Sequence, residues 1–208
     1  MRGKFITFEG CEGVGKSTQI QLLKQYLNDT QQEVVFLREP GGTNISEKIR
    51  EIILSVDSVG MSSKCEAILY SAARAQLVDE VVRPSLERGQ LVACDRFVDS
   101  SYAYQGQARG LGFEYVSQLI SVACGDVAPD LTIFFDLSPK LGFERKGGAD
   151  KGDRLEVEKL EFHQKVYEGY KIVCEKFSDR VCVVDASSDM QSVHNQVLQI
   201  LRQREIIK

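Results

Sequence analysis

The sequence has no apolar run that approaches the roughly 20 residues of a membrane-spanning helix. Positive charge precedes the first apolar run, but Glu9 interrupts that run far short of a signal-peptide core, so we expect no signal peptide. Basic residues are not in excess, because the sequence has 26 Lys and Arg residues and 30 Asp and Glu residues. General nucleic-acid binders usually carry a basic stripe or a high pI. We therefore expect neither a membrane nor a nucleic acid as partner.

Patterns typical of metal sites and disulfide frameworks are also missing. The six cysteines include no CxxC spacing, and several lie in apolar runs such as LVACD and VCVVD. The two histidines, His163 and His194, lie apart in the sequence and give no metal site, and neither is assigned a role. We expect buried, reduced thiols in a cytoplasmic protein.

With 208 residues and 43% hydrophobic composition, the chain is long enough for one good core, and we expect a single domain over residues 1–208. Short apolar runs that end in turn or acidic residues are typical of buried strands. They occupy residues 4–10, 33–39, 90–95, 131–137 and 180–186. Between them lie stretches with helical spacing, for example Ile68, Ala72 and Ala75. This alternation predicts a three-layer α/β fold, with helices on both faces of a five-stranded parallel sheet.

The stretch FEGCEGVGKST, residues 8–18, contains the pattern GxxxxGK[ST] in full. It follows a predicted strand and begins a predicted helix, which is the context that a phosphate loop needs. Backbone N–H groups and the helix N-terminus would face the anion, Lys16 would reach the β and γ phosphates, and Ser17 would bind Mg²⁺. The predicted ATP-binding residues of this loop are Gly10, Cys11, Glu12, Gly13, Val14, Gly15, Lys16, Ser17 and Thr18.

A second metal ligand is expected from an acidic residue that ends another strand. The run QLVACD ends at Asp95, which Arg96 follows directly, and LTIFFD ends in the same way at Asp136. An Asp that caps the following turn is the alternative. We take Asp95 as the metal ligand, although spacing alone does not decide between the two carboxylates.

Nucleotide binding alone leaves the fate of the γ phosphate open. A GTPase needs a guanine-reading NKxD, which the sequence lacks. An ATP-dependent switch protein and a kinase for another small acceptor are alternatives. A kinase is favoured by arginines in glycine, proline or acidic motifs, because guanidinium groups offset the repulsion between two phosphates that meet in line. These arginines are Arg38, Arg74, Arg96, Arg145 and Arg154.

Five motifs follow one another along nearly the whole chain. They are FEGCEGVGKST, LREPGGT at 37–43, AILYSAARAQLV at 67–78, DRFVDSSYAYQG at 95–106 and DR at 153–154. Together they resemble bacterial thymidylate kinases, of the P-loop nucleoside monophosphate kinase type. The resemblance implies transfer of the γ phosphate of ATP to dTMP, giving dTDP, with Mg²⁺ and in a homodimer.

The resemblance also implies a substrate site. Its residues would be Glu12, Arg38, Pro40, Tyr70, Arg74, Arg96, Ser101, Tyr104 and Gln105. Glu12 would hold the sugar 3′-hydroxyl, with a solvated loop charge as the alternative, and Arg38 and Arg96 would grip the acceptor phosphate. Tyr70 would stack on thymine, with an ordinary core aromatic as the alternative.

Three further features of this site come from the same resemblance. Tyr104 would lie against the sugar C2′ and leave no room for a ribose hydroxyl, which makes the enzyme select deoxynucleotides. The bond between Glu39 and Pro40 would be a cis peptide. Arg74 lies four residues after Tyr70, so both belong to one helix face, and it would reach the edge of the base.

Residues 140–155 are rich in glycine and charge and are expected to form a mobile lid. Position 13 is glycine, so the resemblance places the catalytic cation on this lid rather than in the phosphate loop. Arg154 is the candidate for the transition-state contact, and Lys146 and Lys151 would add positive charge. The catalytic set is then Lys16, Arg96, Arg154 and Glu12.

The adenine end of ATP would be bound at two places in the chain. The resemblance implies that Arg145 packs against the adenine and that residues Asp185 to Ser188, after the last strand, line the adenine site. For Asp185 a helix-capping Asp–Ser turn is equally good chemistry.

Overall fold

The structure is a computed structural model that describes residues 2–145, 153–155 and 158–207. Its strands form one parallel sheet in the order β2-β3-β1-β4-β5. They are β1 (Phe5–Glu9), β2 (Val34–Arg38), β3 (Leu91–Asp95), β4 (Leu131–Asp136) and β5 (Val181–Asp185). Each strand lies inside a run that the sequence predicts, and the α/β fold is confirmed.

Helices connect the strands and cover the sheet. They are α1 (Lys16–Asp29), α2 (Asn44–Leu54), α3 (Ser63–Leu77), α4 (Arg83–Glu87), α5 (Val98–Ser101), α6 (Phe113–Cys124), α7 (Pro139–Arg145), α8 (Leu160–Lys176) and α9 (Met190–Gln203). A π-helical segment, Val78–Val82, joins α3 to α4, and another, Tyr102–Ala108, continues α5. Such π-helical segments frequently occur at functional sites, and the second one carries two of the predicted substrate residues.

The core lies on both faces of the sheet. Successive residues of a strand point to opposite faces, so β1 contributes Ile6 and Phe8 to the larger cluster and Phe5 to the smaller one. Because all five residues of β1 are buried, its last residue, Glu9, is a carboxylate inside the protein.

Helix α3 buries a different face from the stripe that its spacing suggests. Ile68 and Ala72 are exposed, whereas Ala73 and Leu77 are buried. The apolar side chains of Ile68 and Ala72 therefore lie on the exposed face of α3 and do not belong to the core.

The thiols agree only in part with the expectation from the sequence. All six cysteines are free. Three are buried, but Cys65 is exposed and Cys174 and Cys182 are half-buried, so the expectation was wrong for these three. Cys65 escapes burial because it lies in the first turn of α3, where only Glu66 and Ala67 turn inward.

No helix within the described ranges is long and apolar enough to cross a membrane. The middle of the predicted lid, residues 146–152 with Lys146 and Lys151, lies outside the described residues.

Candidate active site

The carboxyl ends of three neighbouring strands bring the predicted site residues together. In the sheet register, Phe8 of β1 and Arg38 of β2 both pair with Asp95 of β3. The phosphate loop leaves β1 at this edge, and the DR motif leaves β3. Ligands of open parallel sheets bind in the crevice outside these strand ends.

The phosphate loop depends on glycines. Gly10, Gly13 and Gly15 have positive φ angles of 148°, 73° and 91°, and Gly15 caps the N-terminus of α1 in the left-handed conformation. Lys16 lies within the loop, where its Nζ donates hydrogen bonds of 2.9 Å to the carbonyl oxygens of Gly10 and Cys11. Burial, and next the nearby Arg96, lowers the pKa of Lys16. The ammonium group is thus poorly hydrated and held where a phosphate chain would bind.

Position 13 has no room for a side chain. A Cβ atom built on Gly13 would lie 2.1 Å from the carbonyl oxygen of Gly142 in α7, and one built on Gly142 would lie 2.3 Å from the carbonyl oxygen of Glu12. The first helix of the predicted lid thus packs on the phosphate loop, backbone against backbone. This contact requires glycine at position 13, so the phosphate loop cannot carry an arginine there.

Replacing Gly13 by alanine is expected to displace α7. The clash adds about 1–3 kcal/mol of destabilisation to the strain of a left-handed alanine. Gly110→Ala is the matched control, because Gly110 has the same φ of 73° and nothing within 4 Å of its added Cβ. Thermal unfolding should show a larger loss for Gly13→Ala, with a severalfold higher KM for ATP. Equal melting temperatures for the two variants would contradict the steric account.

A cavity opens beside the phosphate loop, and every residue of the predicted substrate site lines it. Its lining includes Glu12, Arg38, Pro40, Tyr70, Arg74, Arg96, Ser101, Tyr104 and Gln105. Lys16, Ser17 and Asp95 line it too, so the phosphate loop and the substrate site share one space. Asp153 of the DR motif at 153–154 also lines the cavity, so the structure brings together residues from all five motifs.

Arg96 lies at the junction of the two parts of the site. Its guanidinium group pairs with Glu12 at 2.5 Å and donates to the carbonyl oxygen of Gly10 at 3.0 Å. The same group lies 5.3 Å from the centre of the Tyr104 ring. Arg96 has a left-handed backbone, with φ of 67°, which turns its side chain back toward the phosphate loop.

Arg74 is fully buried beneath the cavity. It pairs with Glu39 at 2.7 Å and donates to Ser101 Oγ at 2.9 Å and to the Phe97 carbonyl oxygen at 3.1 Å. Glu39 precedes Pro40 through a cis peptide, as the resemblance implies. Arg74 therefore joins the end of β2 to the DR motif.

Two arginines meet on one carbonyl oxygen at the other side of the cavity. Arg38 Nη1 donates to the Pro40 oxygen at 3.1 Å and Arg50 Nη1 donates to it at 2.8 Å, while Glu47 pairs with Arg38. Burial, and next Arg38, lowers the pKa of Arg50. An anion bound here would be attracted by both charges. The sequence reasoning missed Arg50, although EKIRE follows the LREPGGT motif closely.

The two candidate metal ligands have different surroundings. Asp136 accepts hydrogen bonds from Tyr167 Oη at 2.7 Å and Lys171 Nζ at 3.0 Å. Asp95 Oδ1 is buried and has no hydrogen-bond partner among the described residues. Across those residues, no group of three or more His, Cys, Asp or Glu side chains is arranged to hold a metal. A cation here would thus use Asp95, Ser17 and oxygen atoms of its nucleotide, as Mg²⁺ does in phosphate sites.

Arg154 lies at the rim of the cavity, between Asp153 and Leu155, which line it. Its Nη2 atom pairs with Glu66 at 2.7 Å, and its Nε atom donates to the Ile53 carbonyl oxygen at 2.9 Å. Glu66 also accepts a hydrogen bond of 2.9 Å from Gln105 Nε2. In this arrangement the guanidinium group of Arg154 contacts α2 and α3 rather than the phosphate loop.

The residues predicted for the adenine end lie apart from the cavity. Arg145 donates to the carbonyl oxygens of Ala186 and Ser187 at 2.8 Å and 3.1 Å, which fixes the end of α7 to the loop after β5. Asp185 accepts hydrogen bonds from the backbone and side chain of Ser187 in the same loop, and these bonds lower the pKa of Asp185. The local Asp–Ser turn thus exists, while α9 itself is capped by Asp189.

Sequence reasoning also missed two residues close to the site. His163 lines the cavity, packs edge-on against Phe143 and Phe162, and has a pKa lowered by burial. Glu9 lies beneath the phosphate loop, and burial, followed by the charge of Asp99, raises the pKa of Glu9 to about 7. A single histidine in EFHQK and a strand-end glutamate carry no distinctive spacing signal.

Comparison with known proteins agrees with this geometry. A family model for thymidylate kinase matches residues 8–197. The chain is similar to the thymidylate kinase of Lactobacillus delbrueckii subsp. bulgaricus, with 52% identity over 196 residues, 93% of this chain and 92% of the relative. It is 46% identical to that of Bacillus velezensis over 205 residues, 98% of this chain and 97% of the relative.

A solved structure extends the likeness to the fold. The crystal structure of thymidylate kinase from Ehrlichia chaffeensis matches with a TM-score of 0.79 and 31% identity, covering 97% of this chain and 100% of that chain. The resemblance seen in the five motifs is confirmed. This chain belongs to the thymidylate kinase family.

Proposed function

We propose that the cavity is where this enzyme phosphorylates dTMP to dTDP, with ATP on the phosphate loop and dTMP between Tyr70, Arg74 and Tyr104. The observation that carries the proposal is the cavity's charge. Five cationic side chains line it, against four carboxylates, in a chain whose net charge is −4. The cations are Lys16, Arg38, Arg50, Arg74 and Arg96, and the carboxylates are Glu12, Glu39, Asp95 and Asp153. Such a cluster suits a site where two anionic nucleotides meet.

The chemistry needs positioning and charge stabilisation rather than a strong base. The acceptor is already an anionic phosphate, so no histidine has to remove a proton from it. Arg38 and Arg96 hold the acceptor phosphate in the proposal, and Lys16 draws charge from the β and γ phosphates. Glu12, held by Arg96, binds the sugar hydroxyl.

Mg²⁺ is the proposed metal, because the donor set of the site fits it. Ser17 and Asp95 would hold the ion, and the buried Oδ1 atom of Asp95 supplies an oxygen with no hydrogen bond to another described residue. When bound, Mg²⁺ neutralises charge that develops on the oxygens of the β and γ phosphates.

Residues 140–155 act as a lid in the proposal and bring Arg154 to the transition state. Excluding water matters because hydrolysis of ATP competes with transfer. Arg154 has to leave Glu66 to reach the phosphates, so this ion pair is its position outside the catalytic step. Arg145 and Asp185 bind the adenine end.

A coupled assay of ADP release tests the function. We expect strong stimulation by dTMP and little by UMP, AMP or GMP. Stimulation by another monophosphate instead would assign the chain a different acceptor. ATP hydrolysis with no response to any acceptor would indicate a nucleotide-dependent switch and contradict the proposal.

Tyr104→Ala is expected to weaken discrimination against ribose. Removing the ring that fills the space beside C2′ should lower the preference for dUMP over UMP about tenfold, because one steric contact is lost. These two nucleotides differ only at the 2′ position, so kcat/KM for each isolates the effect. Tyr102→Ala is the matched control, since Tyr102 is buried against Phe113 outside the cavity lining. An unchanged ratio for Tyr104→Ala would remove the steric account.

We also propose a homodimer in the cytoplasm. Helices α3 and α6 pack together and expose apolar side chains, with Ile68 51% and Val122 87% exposed. Exposed apolar surface of this kind marks interaction sites, and a second copy would cover it. The free thiols agree with a reducing compartment.

Val122→Glu is expected to yield a monomer. A carboxylate on this face would be buried against its partner without a counter-charge. Sedimentation velocity should show a dimer for the wild type and for the control Val183→Glu, whose valine is 48% exposed on edge strand β5. A Val122→Glu variant that sediments as a dimer would place the interface elsewhere.

A further inference from the structure

Glu9 is a fully buried carboxylate at the junction of the sheet and the phosphate loop. It is the last residue of β1, directly before Gly10, and none of its surface is exposed. It is not part of the cavity lining, so it does not face the substrates directly. A buried carboxylate is retained only where hydrogen bonds compensate its lost hydration.

The hydrogen bonds of Glu9 come from groups that surround Arg96. Its Oε1 atom accepts from the backbone N–H of Phe97 at 2.7 Å and of Ser100 at 3.3 Å. Its Oε2 atom accepts from Ser100 Oγ at 2.6 Å and from Tyr170 Oη at 2.8 Å. These donors are distant in sequence, with Tyr170 161 positions away.

The same groups contact the guanidinium group of Arg96. Its Nη1 atom donates to Tyr170 Oη at 2.9 Å and to Ser100 Oγ at 3.4 Å. Both hydroxyl groups are therefore shared between the carboxylate of Glu9 and the guanidinium group of Arg96. Each hydroxyl is oriented by donating to Glu9, which leaves its lone pairs directed at Arg96.

Glu9 also fixes the backbone from which Arg96 projects. Arg96 adopts a left-handed conformation that is uncommon for residues other than glycine. The next N–H group, that of Phe97, is the one bound by Oε1 of Glu9 at 2.7 Å. Backbone and side chain of Arg96 are thus held by one carboxylate.

We propose that Glu9 is a positioning residue that orients Arg96 toward the phosphate of the acceptor nucleotide. The inference rests on the proposed function, in which Arg96 grips that phosphate. Glu9 acts through Arg96, so its main effect is on ligands that carry the phosphate. A smaller effect reaches the sugar through Glu12, which Arg96 also holds.

The test compares dTMP with thymidine, which lacks the phosphate. Glu9→Gln removes the negative charge of the carboxylate. It also turns an amide N–H₂ group toward hydrogen-bond donors, so Arg96 loses its orientation. We expect dTMP affinity, measured by calorimetry, to fall about tenfold through a weakened charge-assisted contact, while thymidine affinity falls much less. Arg96→Ala should show the same pattern, and adding Glu9→Gln to it should cause no further loss of dTMP affinity.

Asp99→Asn is the matched control for burial. Asp99 is fully buried and accepts hydrogen bonds from Arg180 and Thr132. Among the described residues, Arg96 makes no hydrogen bond to Asp99. This variant should lower the melting temperature. Removing the charge of Asp99 favours the ionised form of Glu9 that holds Arg96, so the ratio of dTMP to thymidine affinity should not fall. Tyr170→Phe supplies a second test should Glu9→Gln fold poorly, and we expect it to weaken dTMP binding more than thymidine binding.

Each outcome decides one question. Equal losses for dTMP and thymidine in Glu9→Gln or Tyr170→Phe would mean a general structural role and overturn the inference. Normal dTMP binding in these variants, with a loss in Arg96→Ala, would overturn the role of Glu9 and leave the proposed function standing. Normal dTMP binding in Arg96→Ala would contradict the proposed acceptor site itself.

Discussion

Lys16→Ala is expected to lower kcat about a thousandfold or more, the upper range for removing one preorganised charge from a phosphoryl-transfer site. The ammonium group is buried in the loop and held by two carbonyl oxygens at 2.9 Å, which fixes it where the phosphates would bind. Charge that develops between the β and γ phosphates would be left unbalanced. Steady-state release of ADP in the presence of dTMP measures the loss.

A control on the same helix separates this effect from damage to α1. Lys24 lies two turns after Lys16, with its Nζ atom 4.9 Å from the centre of the Phe36 ring. Lys24→Ala should keep the wild-type rate. More than a tenth of wild-type turnover in Lys16→Ala would exclude the phosphate-loop role.

Arg154→Ala is expected to lower kcat about a hundredfold with little change in the KM for dTMP, the pattern of a group that acts on transition-state charge. The positions of Glu66 and Gln105 make this separation of kcat from KM informative. Glu66 pairs with Arg154 and binds Gln105, which lines the cavity. Loss of a purely structural Arg154 would act through Gln105 and raise the KM for dTMP.

Glu66→Gln is the companion variant. It removes the ion pairs of Glu66 with Arg154 and Arg109 and leaves a neutral side chain of the same size at a fully buried position. If Arg154 acts in the lid, Glu66→Gln should retain most of kcat. A loss of kcat in Glu66→Gln that matches Arg154→Ala, with no added loss in the double variant, would make Arg154 an anchor instead.

Local patterns were enough to predict the frame of the molecule. Buried parallel strands appear in the sequence as short apolar runs, and all five predicted runs contain the observed strands. The phosphate loop is also local, since residues 10 to 17 carry its glycines, its lysine and its serine in one stretch. Features that depend on neighbours in sequence can be found without a structure.

The partners of the site residues could not be found in this way. Glu9 meets Tyr170, Arg74 meets Glu39, and Arg154 meets Glu66 across 161, 35 and 88 positions. Such pairs result from sheet order and helix packing, which no spacing rule contains. Charge complementarity gives no guide either, because 27% of the chain is charged.

The face of α3 shows a different limit. Ile68 and Ala72 have the spacing of a buried stripe, yet the described chain buries Ala73 and Leu77 instead. An apolar stripe predicts that a surface is covered but does not say by which molecule. Contacts between subunits and contacts within a core give the same apolar pattern in a single sequence.

The backbone contact between Gly13 and Gly142 restricts how this enzyme can evolve. A catalytic cation in the phosphate loop would need a residue larger than glycine at position 13. The Cβ atom of any such residue would clash with the carbonyl oxygen of Gly142. Each position requires glycine separately, because the atom that an added Cβ would meet is a backbone oxygen in both cases. An arginine at position 13 would therefore require α7 to move away from the phosphate loop.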